Sequence, residues 1–199
     1  METIVLASNN SNKLKEFRNI ITDVNILSLK DIGFKDEIEE TGTTFLENSL
    51  LKAKTIHEYL KSNNLNYTVM SDDSGLCVNS LNGEPGLYSA RYAGGHGNDT
   101  DNRKKLLDNL KDKADRSAYL ICVVVKYYPN GSYIYAEGKT EGYILESEQG
   151  NTVFAYDCIF YSDELKKSFG EANEEEKNKV SHRGKAIRNL LSKEKHLLK

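Results

Sequence analysis

The first apolar run, Thr3 to Ala7, is continuous and rich in β-branched residues. It gives way to the polar turn Ser8-Asn9-Asn10-Ser11 and then to Leu14, Phe17, Ile20 and Ile21 at helical spacing. That pattern predicts a strand, a loop and a helix. A second short strand is predicted at Asn25 to Leu29. After the acidic loop Asp36 to Gly42, Thr44-Phe45-Leu46-Glu47 has the Thr-x-x-Glu form of a capping box. The helix it opens should reach about Leu60, with Leu46, Leu50, Ala53, Ile56 and Leu60 inward, which turns Asn48 and Lys52 onto another face.

Tyr67 to Ser71 reads as a strand running into Asp72-Asp73-Ser74-Gly75, acidic residues at a strand end with a glycine that allows a tight turn, and Leu76 to Leu81 continues as an alternating strand. A charged helix is predicted from about Asp99 to Lys111. Strands follow at Ala118 to Tyr128 and Ser132 to Gly138, joined by a hairpin at Pro129-Asn130-Gly131, with a third at Gly142 to Leu145. Val153 to Phe160 is apolar and aromatic and is expected to stay extended, with Ala155 at negative φ. Glu171 to Lys179 reads as a charged turn or helix, and Ser181 caps a last helix with Ile187, Leu190 and Leu191 inward. The alternation is that of an α/β protein, without repeats or low-complexity linkers.

A chain of 199 residues with 38% apolar and 29% charged residues can bury a core as one domain, 1–199. The formal charge of -3 argues against a stable nucleic acid complex held by a broad basic surface, but leaves a small anionic ligand open. Cys77, Cys122 and Cys158 form no C-x-x-C pair and suggest no disulfide framework. With no leader-like N-terminus and no apolar run long enough for a membrane, a cytoplasmic protein is expected.

Three constellations could carry chemistry. Ser8, Asn9, Asn10, Ser11, Asn12 and Lys13 lie between a strand and a helix, where open N–H groups, the helix dipole and a lysine favour phosphate. An ordinary capped turn would read the same way. Asp72 and Asp73, beside Ser74 and Gly75, could hold Mg²⁺ or take a proton from water, and one of Glu37, Glu39 and Glu40 could complete the metal site. A solvated acidic turn is the bland alternative. Lys177, His182 and Arg183 put positive charge at the start of the last helix, where the dipole already disfavours it and an anion would relieve the cost. Arg91 and the aromatic run Phe154-Ala155-Tyr156-Asp157 could stack on or hydrogen-bond a base, or could simply be core.

The stretches LASNNSNKLKEF, EETGTTFLENSLLKA, SDDSGLCVNSLNGEPGLYSARYAG, VFAYDCIF and EEKNKVSHRGKAI together resemble the inosine triphosphate pyrophosphatase family, from Ile4 to about Leu191. The resemblance implies an elongated mixed β-sheet with flanking helices, two lobes around a deep nucleotide-binding cleft, and a homodimer. It implies Mg²⁺-dependent cleavage of deaminated purine nucleotides (ITP, dITP, XTP) to the monophosphate and pyrophosphate. By the same resemblance Asp73 is proton acceptor and metal ligand, Glu40 helps place Mg²⁺ with Asp72 beside them, and Ser8 to Lys13 meet the phosphates. Ser74, Phe154, Ala155, Tyr156, Asp157, Lys177, His182 and Arg183 contact the nucleotide, with Asn48, Lys52 and Arg91 as supporting residues. The chain departs from the family where Val153 and Ala155 replace customary glycines, which bears on base selectivity, and at Asn12, where glycine is frequent. A Maf-type pyrophosphatase is the rival enzymatic reading, disfavoured by SHRGKA. A nucleotide binder without turnover is the non-enzymatic one, disfavoured by the intact acidic pair.

Overall fold

A computed structural model describes residues 2–95 and 97–197. Its strands are β1 (Glu2–Leu6), β2 (Val24–Leu27), β3 (Thr68–Val78), β4 (Ser117–Tyr127), β5 (Tyr133–Ile144), β6 (Phe160–Ser162) and β7 (Lys167–Ser168). Its helices are α1 (Ser11–Ile20), α2 (Phe45–Ser62), α3 (Asp99–Asn109), α4 (Glu174–Val180) and α5 (His182–Leu197). The sheet order is β2-β1-β3-β4-β5-β6-β7. β1 runs parallel to β2 and β3, while β6 is antiparallel to β5 and β7, so the sheet is mixed. No helix among the described residues is long and apolar enough to cross a membrane.

The chain divides into two compact units, one of Met1–Asp73, Cys122–Gly138 and Ala186–Lys199, the other of Ser74–Ile121 and Lys139–Lys185. In the first unit the strands are covered on both faces. Ile4, Leu6, Met70, Cys122 and Val124 pack with Phe17 of α1 and Ile187 and Leu190 of α5. The intervening Val5, Ala7, Val69 and Val125 pack with Ala53, Ile56 and Leu60 of α2. Side chains alternate across a strand, so burial on both faces explains why Thr3 to Ala7 reads as an unbroken apolar run. In the second unit Leu76, Val78, Leu106, Leu110, Phe160 and Phe169 form the core with Tyr92 and Tyr156.

Two expected breaks in the sheet are absent. Asp72-Asp73-Ser74-Gly75 is not a turn: β3 runs straight through it, and the acidic pair lies mid-strand, buried. The residues have turn composition, but cationic partners described below let the carboxylates be buried, and the ladder then continues. Likewise the strand expected at Gly142 to Leu145 is the end of one long β5. The segment Val153 to Phe160, by contrast, does not stay extended. It forms a turn and a 3-10 segment, Asp157–Ile159, before β6 begins.

β6 pairs only with Gly142–Ile144, so the preceding edge of β5 needs another partner. α5 supplies it: Lys185, Asn189 and Lys193 donate to the carbonyls of Lys139, Glu137 and Tyr135 at 3.0, 2.8 and 3.1 Å. Four helical residues rise about 6 Å and two strand residues about 6.6 Å, so the two ladders stay in step.

Candidate active site

The carboxylates of β3 are sorted by strand alternation. Asp72 shares a face with Met70, toward α1, where its Oδ2 meets Lys13 Nζ at 3.0 Å and the Cys122 thiol at 3.7 Å. Asp73 shares the opposite face with Val69 and Ser71, toward α2. There Asn48 Nδ2 donates to Asp73 Oδ2 at 3.1 Å, and Lys52 Nζ lies 3.9 Å from Asp73 Oδ1 and 2.8 Å from Glu40 Oε1. Asn48 and Lys52, four apart, turn off the apolar stripe of α2 as expected, but they are buried against Asp73.

Asn48 is itself aimed. The backbone N–H of Gly42 donates to Asn48 Oδ1 at 2.7 Å, which leaves the amide nitrogen to face Asp73. A Cβ at Gly42 would stand 2.7 Å from both Asn48 Oδ1 and Glu47 Cβ, so glycine is required for this approach. The N-cap that opens α2 fixes the same corner: Glu47 N–H donates to Thr44 Oγ1 at 3.1 Å, and the Glu47 carboxylate reaches one residue further back, accepting from Thr43 N–H at 2.6 Å. Gly42 was not singled out in the sequence, and the only cue to it is its position just before the N-cap.

Burial pushes the Asp73 carboxyl above the ordinary aspartate range, and Glu40 adds to this, outweighing the opposing pull of Lys52, Lys13 and Asn48. Burial pulls Lys52 down, but Asp73, Asp72 and Glu40 together hold it above the usual lysine value. The two shifts differ in origin: burial raises Asp73, while Lys52 is raised by carboxylates that outnumber the ammonium groups they surround. Such an arrangement has the charge to take a further cation, and its raised pKa brings Asp73 closer to neutral pH, where a carboxylate can accept a proton.

Among the described residues no three His, Cys, Asp or Glu side chains stand together as a ready metal cage. Of the three carboxylates expected to serve a metal, Asp72 lies on the face of the strand toward Lys13, and Glu40 and Asp73 lie toward Lys52. Glu40 and Asp73, which share Lys52, remain a hard-oxygen pair. Mg²⁺ is commonly bound by one or two carboxylates completed by substrate phosphate and water, and that donor set fits this ion.

The loop Ser8 to Lys13 is more occupied than its composition suggests. Asn10 is the N-cap of α1, and its side chain accepts from the N–H groups of Asn12 at 3.0 Å and Lys13 at 3.2 Å. Asn10 N–H in turn donates to Ser8 Oγ at 3.1 Å. Those N–H groups are therefore not open to an anion, while the Lys13 ammonium reaches Asp72. Asn12 is helical, and no left-handed residue is needed at that position.

The second unit gathers a different set. Lys177 of α4 pairs with Asp157 at 2.5 Å, both buried, and its ammonium lies 5.3 Å from the Phe154 ring centroid. Ser181 caps α5 by accepting from Gly184 N–H at 3.0 Å, and places His182 and Arg183 in the first turn, both buried. Arg183 Nη2 donates to Ser74 Oγ at 3.0 Å. Tyr156 belongs to the core: its hydroxyl donates to the Ser89 carbonyl at 2.7 Å, and its phenol is pushed far up by burial. Arg91 lies over the ring of exposed Tyr88, 5.1 Å from its centroid.

Ala155 has φ 47°, not the negative value expected. An extended course was inferred from Val153 and Phe154, but a turn closes instead, with Asp157 N–H donating to the Phe154 carbonyl at 3.0 Å. A left-handed conformation costs alanine about 1–2 kcal/mol, so the turn must be held by its surroundings.

The Ham1 family model matches residues 4–193. Over 204 aligned residues the chain is 50% identical to the dITP/XTP pyrophosphatase of Clostridium perfringens, with 100% of both chains covered. It is 44% identical to that of Staphylococcus epidermidis, covering 98% of this chain and 96% of the relative. Among solved structures, the Staphylococcus aureus Ham1 protein superposes with a TM-score of 0.85 at 38% identity, covering 98% and 99% of the two chains. A Coxiella burnetii HAM1 protein does so at 0.84 and 36%, covering 98% and 100%.

Proposed function

The chain belongs to the Ham1 family, and from that premise we propose that it is a nucleoside triphosphate pyrophosphatase cleaving deaminated purine nucleotides such as ITP, dITP and XTP to monophosphate and pyrophosphate. The observation that carries the reading is Asp73: a buried carboxylate with raised pKa, aimed by Asn48 and flanked by Lys52 and Glu40. In this role Asp73 takes the proton of the attacking water at its carboxylate, and water adds at the α-phosphorus as the bond to the pyrophosphate oxygen breaks. Lys52 and Lys13 offset charge on the phosphates. Glu40 and Asp73 would hold Mg²⁺, which when bound supplies Lewis-acid neutralisation of the phosphate oxygens. The second unit's set is suited to a nucleobase: the Phe154 ring offers a face, and buried His182, Arg183 and Lys177 can donate to a 6-oxo group, where the amino group of adenine would leave donors facing donors. A homodimer acting on free cytoplasmic nucleotides completes the reading.

The test is to incubate the protein with ITP and Mg²⁺ and separate the products. IMP with pyrophosphate is expected, and IDP with inorganic phosphate would overturn the assignment. Omitting Mg²⁺, or adding a chelator, should stop the reaction.

A further inference from the structure

The strained turn at Ala155 is gripped by one helix. Asp99 opens α3 and Arg103 stands four residues later, so both side chains leave the same face. Asp99 Oδ2 accepts the N–H of Ala155 at 2.8 Å. Arg103 Nη1 donates to the carbonyls of Val153 at 3.1 Å and Ala155 at 2.8 Å, and its Nε to Glu148 Oε1 at 2.7 Å. The backbone groups on either side of the left-handed residue are thus held by a single helical turn, and the guanidinium that holds them is buried. Asn98 caps α3, accepting from Asp101 N–H at 3.1 Å, so Asp99 is free of that duty.

We propose that Asp99 and Arg103 are positioning residues for purine selectivity: by holding Ala155 at positive φ they fix where Phe154 stands for the base. The proposal rests on the pyrophosphatase reading, with the 154–157 segment reading the base. Neither residue touches substrate. If the grip is released, alanine relaxes toward negative φ, the peptides on both sides rotate, and the Phe154 ring leaves its place over Lys177. Asp157 is less affected, because Lys177 and the buried Tyr156 anchor it.

The experiment compares Asp99→Ala, Arg103→Met, Asp99→Asn and the double variant Asp99→Ala with Ala155→Gly, in the full chain. Hydrogen exchange is followed together with kcat and KM for ITP and GTP. Asp99→Ala and Arg103→Met should raise KM for ITP by about tenfold with kcat within about twofold, and narrow the preference for ITP over GTP. Exchange should quicken across 153–157 and stay unchanged in β3. Asp99→Asn, which keeps an acceptor oxygen, should retain wild-type KM, and Ala155→Gly should restore part of what Asp99→Ala loses, since glycine adopts positive φ without being held. Unchanged KM and selectivity in Asp99→Ala, in a wild-type background that cleaves ITP, overturn the proposal and leave the pyrophosphatase reading intact. Should the wild type fail to cleave ITP, that reading falls, and calorimetric ITP affinity with exchange at 153–157 decides the grip: no change in either on Asp99→Ala overturns it.

Discussion

The two units bury charge in opposite ways. In the first, Glu40, Asp72 and Asp73 surround Lys13 and Lys52, and burial leaves Asp73 with a raised pKa. In the second, Lys177 and Asp157 meet directly at 2.5 Å, each buried against its partner. The first arrangement is poised: it disfavours its own ionised state and gains from an added cation. The second has a direct ion pair at its centre, with His182 and Arg183 buried in the same unit. In the proposed reading the carboxylate surplus is where chemistry is done, and the direct pair is where geometry is kept.

The largest expected effect comes from neutralising the surplus. Asp73→Asn should lower kcat by about 10³-fold, within the range for losing a positioned proton acceptor. The same change should raise the melting temperature, because an amide removes a buried charge that the fold disfavours at nearly constant volume. The sign follows from linkage: a carboxyl whose folded pKa exceeds its unfolded value costs stability above the folded pKa and nothing below the ordinary aspartate value of 3.8. In Mg²⁺-free buffer the gain should therefore be full at neutral pH and fade as pH falls into the ordinary carboxylate range. Calorimetric scans at several pH values check this, and a lower melting point for Asp73→Asn at neutral pH would show that Lys52 and Asn48 outweigh burial.

Breaking the direct pair should do the reverse. Lys177→Met leaves Asp157 buried without that ammonium, which should destabilise the protein by about 3–5 kcal/mol, read as a fall in the urea midpoint. Adding Asp157→Leu should recover part of the loss, since neither member of the pair is then buried without the other. If the single variant costs under about 1 kcal/mol, the pair does not hold the second unit in the way argued.

The same contrast explains what the sequence disclosed. Helices α1, α2, α3 and α5 were legible because caps and apolar stripes are local signals, as with Thr44 before Leu46 and Leu50, or Ser181 before Ile187 and Leu190. The residues of both clusters lie in the stretches that carry the family resemblance. What composition could not convey was tertiary relief of a local cost. Asp72-Asp73-Ser74-Gly75 has turn propensity, and only Lys13, Lys52 and Asn48, brought from elsewhere in the chain, make it a strand. Ala155 has no local reason for positive φ; its reason lies in Asp99 and Arg103. Gly42, Asp99 and Arg103 escaped notice because each acts through a backbone contact across sequence.

The smallest effect tests the strain itself. Ala155→Gly should stabilise the protein by about 1 kcal/mol: the left-handed penalty of roughly 1–2 kcal/mol is removed, while the looser unfolded chain returns about 0.4–1 kcal/mol of that gain. Lys166 offers the control, since it lies in the same unit at φ 57° and its N–H is held by the Ser162 carbonyl at 2.9 Å. Lys166→Gly should give a similar gain in stability without changing selectivity, because it relieves the same backbone cost outside the base-reading segment. Ala155→Gly, with Asp99 and Arg103 intact, should in addition lower KM for ITP modestly, by less than about tenfold, since the bound geometry is already held. Urea titrations at unchanged m-value give the stability change for both variants. A loss of stability in Ala155→Gly alongside a gain in Lys166→Gly would mean that the Ala155 methyl, packed against the second unit's core, contributes more than its left-handed backbone costs.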